Sequence, residues 1–190
     1  MRPPWLLAIT DRRQMGPEDV ARIARPGVAI IVREKDLSAR ALFDYARAID
    51  TIARPRGCSV LVTDRLDVAR ALGLGVQLPE DGLEIADARA YLGPGAIVSA
   101  SRHDPAGVRA AIGADWITIA PVFPSASKPG LPGLGVESLA RARAAAPPGA
   151  RIYALGGIDA ATAPLAWATG VDGVAAIRAA WAGDALERDA

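Results

Sequence analysis

The chain has 190 residues, 51% of them apolar, with 22 basic and 21 acidic side chains and a formal net charge of +1. That size supports one sizeable core rather than two large domains, and the balanced charge excludes a protein built mainly to hold nucleic acid or an anionic membrane. A single cysteine, Cys58, excludes an intrachain disulfide and a cysteine-only zinc site, and a single histidine, His103, excludes any site that needs two.

In chain order, short apolar runs alternate with Ala- and Arg-rich helical stretches. The strand candidates are 5–10, 28–33, 59–64, 75–78, 96–101, 116–122, 151–155 and 173–177. Most are near-continuous Val, Ile, Leu and Ala, the pattern of parallel strands covered on both faces. Helix candidates fall at 18–25, 38–54, 65–72, 83–92, 105–112, 136–145, 160–169 and 179–188. Ser38 and Asp159 stand where N-caps belong, and Gly73, Gly93, Gly113 and Gly170 where C-caps belong. Eight strictly alternating units predict an α/β protein, a single minimal (β/α)8 TIM barrel over residues 1–190, with little room for lids. The segment after Met1 is too short for a signal h-region, and no run approaches the ~18 apolar residues of a membrane span. The expectation is a cytoplasmic protein with no membrane or nucleic-acid partner; its oligomeric state is open, a homodimer included.

Functional residues of such barrels lie where strands end and loops begin. Those ends supply Thr10 to Arg12, Arg33 to Lys35, Thr63 to Arg65, Gln77 to Asp81, Ser101 to His103, Ser125 to Lys128, Gly156 and Gly157, and Ile177 with Arg178. Only two of the 22 basic residues are lysines, Lys35 and Lys128, and both fall on this face. A lysine ammonium handles phosphate as a point charge, although two lysines could also land there by chance. Gly156-Gly157 after the seventh strand fits a phosphate site, where backbone N–H groups approach an anion that a Cβ would obstruct; the bland alternative is a turn into the next helix. The Gly- and Pro-rich stretch 124–135 reads either as a flap over an anionic ligand or as a surface loop. Asp64, Glu80 and Asp81 are the carboxylates placed to hold Mg2+, with Asp64 alternatively capping the third helix. His103 is either a ligand contact or the start of the fifth helix, and Cys58 and the four tryptophans read as packing.

At these positions the sequence resembles the thiamine phosphate synthase/TenI family along nearly its whole length. Leu7-Ala8-Ile9-Thr10-Asp11 resembles the family's opening strand, Arg33-Glu34-Lys35 its R-E-K motif, and Thr63-Asp64-Arg65-Leu66-Asp67 its N-D-R-x-D. Gly75-Val76-Gln77-Leu78 is similar to G-V-H-L, Ser101-Arg102-His103 to S-x-H, and Pro121-Val122-Phe123 with Ser127-Lys128-Pro129-Gly130 to the family's flap. Leu155-Gly156-Gly157-Ile158 and Val171-Asp172-Gly173-Val174-Ala175 complete the set.

The resemblance implies an enzyme of thiamine biosynthesis that joins hydroxymethylpyrimidine diphosphate to thiazole phosphate and releases pyrophosphate. It implies Mg2+ as cofactor and small phosphorylated substrates as partners. Arg33, Lys35 and Lys128 match the pyrophosphate-binding residues. Asp64 matches one Mg2+ ligand, with Asp81 or Glu80 standing beside the position of the second, which is Gly82. Thr63 stands where the family has asparagine. Ser101, Ser125 and Ser127 match polar substrate contacts, and Gly156, Gly157, Ile177 and Arg178 match the thiazole phosphate site. Arg178 replaces the family's serine, and Ile31 replaces a glutamine. Gln77 resembles the TenI branch, a thiazole tautomerase, yet that branch's catalytic histidine falls on Pro121, so His103 or Glu34 would have to act as base. A tautomerase and a non-catalytic barrel that binds a phosphorylated ligand are the alternatives.

Overall fold

A computed structural model describes residues 3–125, 130 and 132–187. Eight strands alternate with helices: β1 (Leu6–Ile9), α1 (Val20–Ile23), β2 (Val28–Val32), α2 (Ala39–Ala53), β3 (Ser59–Thr63) and α3 (Leu66–Leu72). There follow β4 (Gly75–Leu78), α4 (Ile85–Leu92), β5 (Val98–Arg102), α5 (Pro105–Ala110), β6 (Trp116–Ile119) and α6 (Glu137–Ala145). The last are β7 (Arg151–Leu155), α7 (Ala163–Trp167), β8 (Gly173–Ala176) and α8 (Arg178–Ala182). Each strand pairs in parallel with the next, and β1 pairs with both β2 (Leu6 with Val28) and β8 (Leu6 with Val174), closing the barrel. Continuous apolar runs and a covered sheet correspond: every residue of β2 is buried.

Two cores hold the barrel. The larger lies between strands and helices, where β2 contributes Val28, Ile30 and Val32 and α2 contributes Leu42, Ala46 and Ile49. Inward residues of alternate parity, among them Leu7, Ile9, Ala29, Ile31 and Leu61, form the second. Below, Trp116 and Tyr153 meet with ring centroids 5.9 Å apart, and the Tyr153 hydroxyl donates to the Pro4 carbonyl at 2.9 Å. Gly173 makes that plug possible, because a Cβ there would lie 2.4 Å from the Tyr153 ring.

Boundaries differ from expectation for local reasons. β6 ends at Ile119 rather than Val122, since Pro121 has no N–H to continue a ladder. α7 begins only at Ala163, because the Asp159 carboxylate closes a preceding turn by accepting from Ala161 N and Thr162 N; the cap of α7 is Thr162. Ser38 caps α2 and Gly73 caps α3 in the left-handed conformation, whereas the C-caps of α5 and α7 are Ala111 and Ala168, before Gly113 and Gly170. Trp181 and Trp167 pack and donate to the Ile9 and Leu186 carbonyls. Cys58 is buried, and that burial pushes its thiol above the ordinary range. Among the described residues no helix is long and apolar enough to cross a membrane.

Candidate functional site

The C-terminal ends of the strands open into a cavity of about 780 Å³. Of the site residues expected from sequence, Arg33, Lys35, Thr63, Asp81, Ser101, Ser125, Gly156, Gly157, Ile177 and Arg178 all form its wall. Asp64 does not. It stands exposed just beyond β3 with its backbone in the left-handed conformation (φ 63), and it does not cap α3, whose first flanking residue is Arg65. Ser127 and Lys128 lie outside the described residues.

The end of β2 carries four charges in a row, and the fold sorts them. Glu34 is buried; its carboxylate accepts from the Thr10 hydroxyl at 2.7 Å and from the Arg12 backbone N–H at 3.0 Å. The Arg12 guanidinium lies 3.8 Å from the same carboxylate and hydrogen-bonds Asp36. Both acids are thus occupied by Arg12 and Thr10. Arg33 and Lys35, between and beside them, meet no carboxylate among the described residues and line the cavity as exposed cations. The wall they form suits an anion: charge-assisted contacts to phosphate oxygens are the strong ones.

Gly156 and Gly157 occupy the far wall in positive-φ conformations, 95 and 64. Close approach by the β6–α6 connection requires them, since a Cβ on Gly156 would lie 2.7 Å from Pro121 Cα and one on Gly157 2.5 Å from the Pro124 carbonyl. The pair is therefore a packing device and a cavity wall at once, and the Gly157 N–H finds no acceptor among the described residues. A neighbouring cavity of about 480 Å³ shares Ser125, Gly157, Ile158 and Arg178 with the first, so the exposed Arg178 stands between the two.

The floor is two-sided. Ile9, Ile31, Leu155 and Ala175 make one half apolar, while Thr63, Gln77, Ser101 and Thr118 make the other polar. Ser99 donates to Gln77 Oε1 at 2.6 Å, Gln77 Nε2 donates to Ser101 Oγ at 3.0 Å, and Ser101 and Thr118 hydroxyls lie 3.1 Å apart. The Thr63 hydroxyl is buried without a hydrogen-bond partner among the described residues. An unsatisfied buried hydroxyl costs about 1–3 kcal/mol, which a bound ligand would relieve. Sequence reasoning misses Ser99 and Thr118. The available signal is polar residues at inward parity in otherwise apolar strands.

Just beyond them, at the ends of β5 and β6, His103 Nδ1 contacts the Ala120 carbonyl and Nε2 lies 3.2 Å from Glu80. The ring is thus a wall contact rather than the start of α5, whose cap is Asp104. Glu34, locked by Thr10 and Arg12, is not disposed as a base. No group of three or more metal-ligating side chains assembles among the described residues. Asp81 lies on the wall and Asp64 follows Thr63 at the end of β3, outside it; both are exposed carboxylates with no partner among the described residues. Carboxylates are the ligand type Mg2+ takes, one or two at a time, with phosphate oxygens and water filling its octahedron.

Comparison with known proteins places the chain in a family. The sequence pattern of the thiamine monophosphate synthase family matches residues 6–180. A thiamine-phosphate synthase of Methanoculleus marisnigri is 41% identical over 167 residues, covering 85% of this chain and 78% of its own length. One from Mycolicibacterium smegmatis is 33% identical over 182 residues, 94% of this chain and 80% of the relative. Among solved structures, the thiamine phosphate pyrophosphorylase from Pyrococcus furiosus superposes with a TM-score of 0.80 at 30% identity, covering 90% of this chain and 84% of that one. The chain belongs to the thiamine monophosphate synthase family.

Proposed function

We propose that the chain is a transferase of thiamine biosynthesis that joins hydroxymethylpyrimidine diphosphate to thiazole phosphate and releases pyrophosphate. The observation that carries this reading is the pair Arg33 and Lys35, left unneutralised on a wall that faces the glycine pair across one cavity. The bond from the pyrimidine methylene to the diphosphate oxygen breaks, leaving a methylene cation, and the thiazole nitrogen supplies the electron pair that captures it. No covalent nucleophile is needed. Charge accumulates on the departing diphosphate, where fixed cations act more strongly than on the ground state. Arg33 and Lys35, with Lys128 from the Gly- and Pro-rich loop, supply those cations.

Asp81 and Asp64 would hold Mg2+, which when bound neutralises part of the leaving group's charge. The two-sided floor orients a heterocycle, polar edge toward β3–β6 and apolar face toward β7–β2. The Gly157 N–H and Arg178 receive the thiazole phosphate. Ser125 and Ser127 supply further polar contacts.

Purified protein given both substrates and Mg2+ should form thiamine phosphate and pyrophosphate in equal amounts, and Lys128→Ala should cripple the reaction. Absence of product at high enzyme concentration overturns the reading. Lack of any Mg2+ dependence overturns the metal assignment alone.

A further inference from the structure

The hydrogen-bond chain beneath the cavity has a direction. Ser99 is fully buried, and its hydroxyl donates to Gln77 Oε1 at 2.6 Å. Gln77 Nε2 then faces Ser101 Oγ at 3.0 Å and the Leu78 carbonyl at 3.4 Å. Only an N–H can face that carbonyl; the reversed amide would set two acceptor oxygens against each other. Thr118 is buried too, at 1% exposure, and among the described residues Ser101 Oγ is its hydroxyl's one partner, at 3.1 Å. That contact admits either hydroxyl as donor; with Thr118 donating, its buried O–H is satisfied without a ligand.

In that arrangement Ser101 accepts twice, from Gln77 and Thr118, and its own proton has no acceptor left within the chain of bonds. Half-buried on the cavity wall, it then points that proton into the cavity. Successive bonds Ser99 to Gln77 to Ser101 polarise one another in the same sense. We propose that Gln77 is a positioning residue that makes Ser101 an obligate hydrogen-bond donor to a ring nitrogen of the pyrimidine. The identity of that ring rests on the reading of function above. Thr63, whose unpartnered hydroxyl sits on the adjacent strand in register with Gln77, supplies a second polar contact to the same edge.

The test is a double-substitution cycle between Gln77→Glu and Ser101→Ala, read on kcat/KM for the pyrimidine diphosphate and on the Kd of thiamine phosphate by calorimetry. A carboxylate at position 77 accepts the Ser101 proton and turns it away from the cavity. Each single substitution should weaken both readouts about tenfold, the scale of one missing buried hydrogen bond. The double substitution should be no worse than the weaker single one, and Gln77→His, which keeps an N–H donor, should recover most of the loss. Additive losses, or a Gln77→Glu protein within twofold of wild type, overturn the proposal. Should Gln77→Glu fail to fold, Gln77→Met, which removes the N–H donor at similar length, takes its place in the same cycle with the same required non-additivity. A wild-type protein that binds thiamine phosphate yet makes none contradicts the functional reading only, and the cycle on Kd still decides this one. A wild type that does not bind it overturns both.

Discussion

Arg12 is the residue on which the charge of the β2 rim depends. Replacing it with alanine leaves Glu34 held by the Thr10 hydroxyl and by the residue-12 backbone N–H, losing only the guanidinium 3.8 Å away, so the larger loss falls on Asp36. The Arg12 and Asp36 side chains are 34% and 54% exposed, so their pair contributes at most about 1 kcal/mol to stability. Binding should feel the change more. One cation is removed and one carboxylate is freed near Arg33 and Lys35. At ~10 Å and an effective dielectric constant of ~40–80, that amounts to about 0.4–0.8 kcal/mol for each phosphate charge in low salt. The expected result in steady-state kinetics is a roughly two- to fivefold rise in KM for the diphosphate substrate, with kcat little changed and thermal stability nearly unaltered. Raising ionic strength beyond about 0.15 M should shrink the difference. Adding Asp36→Asn to Arg12→Ala should restore most of it. An unchanged KM at low salt, or a deficit that ignores salt, would refute the charge-sorting argument.

Other residues carry separate expectations. Gly157→Ala places a Cβ 2.5 Å from the Pro124 carbonyl at a positive φ; about 1–2 kcal/mol of stability should go, with a KM for thiazole phosphate raised at least tenfold. Thr63→Val removes the unpartnered hydroxyl at nearly constant shape, so the melting temperature should hold or rise while KM for the pyrimidine substrate increases. The Asp104 carboxylate accepts from Gly107 N and Ala106 N, and these bonds hold its carboxyl below the ordinary value near 3.8. Its contribution to stability is complete above that value and disappears as pH falls through the lower folded one. In Asp104→Asn, melting curves across the acid range should lack that step.

The barrel was legible because parallel strands covered on both faces must be apolar throughout, and β2 or β8 can hardly be read otherwise. Helix ends were less so. Asp159 and Thr162 satisfy each other's backbone and side chain in a turn, and nothing in the hydropathy of 160–169 announces that competition. Rim residues followed from strand ends alone. The sorting of Glu34 and Asp36 onto Arg12 could not, since it joins loops 22 and 24 residues apart through the closure of β1 on β2. Gln77 stood out only as a departure from a motif. Its place in a directed hydrogen-bond chain depends on the inward parity of Ser99, Ser101 and Thr118 on neighbouring strands, which register and not sequence decides.

Calorimetric titration of pyrophosphate with Mg2+ into the wild-type protein and into Arg33→Ala/Lys35→Ala reaches the central claim most directly. Removing both charge-assisted hydrogen bonds at once should weaken binding at least 100-fold, and wild-type affinity should fall steeply with salt. Equal affinity in the two proteins would contradict the account, because the cations of the β2 end would then not be what holds the departing group.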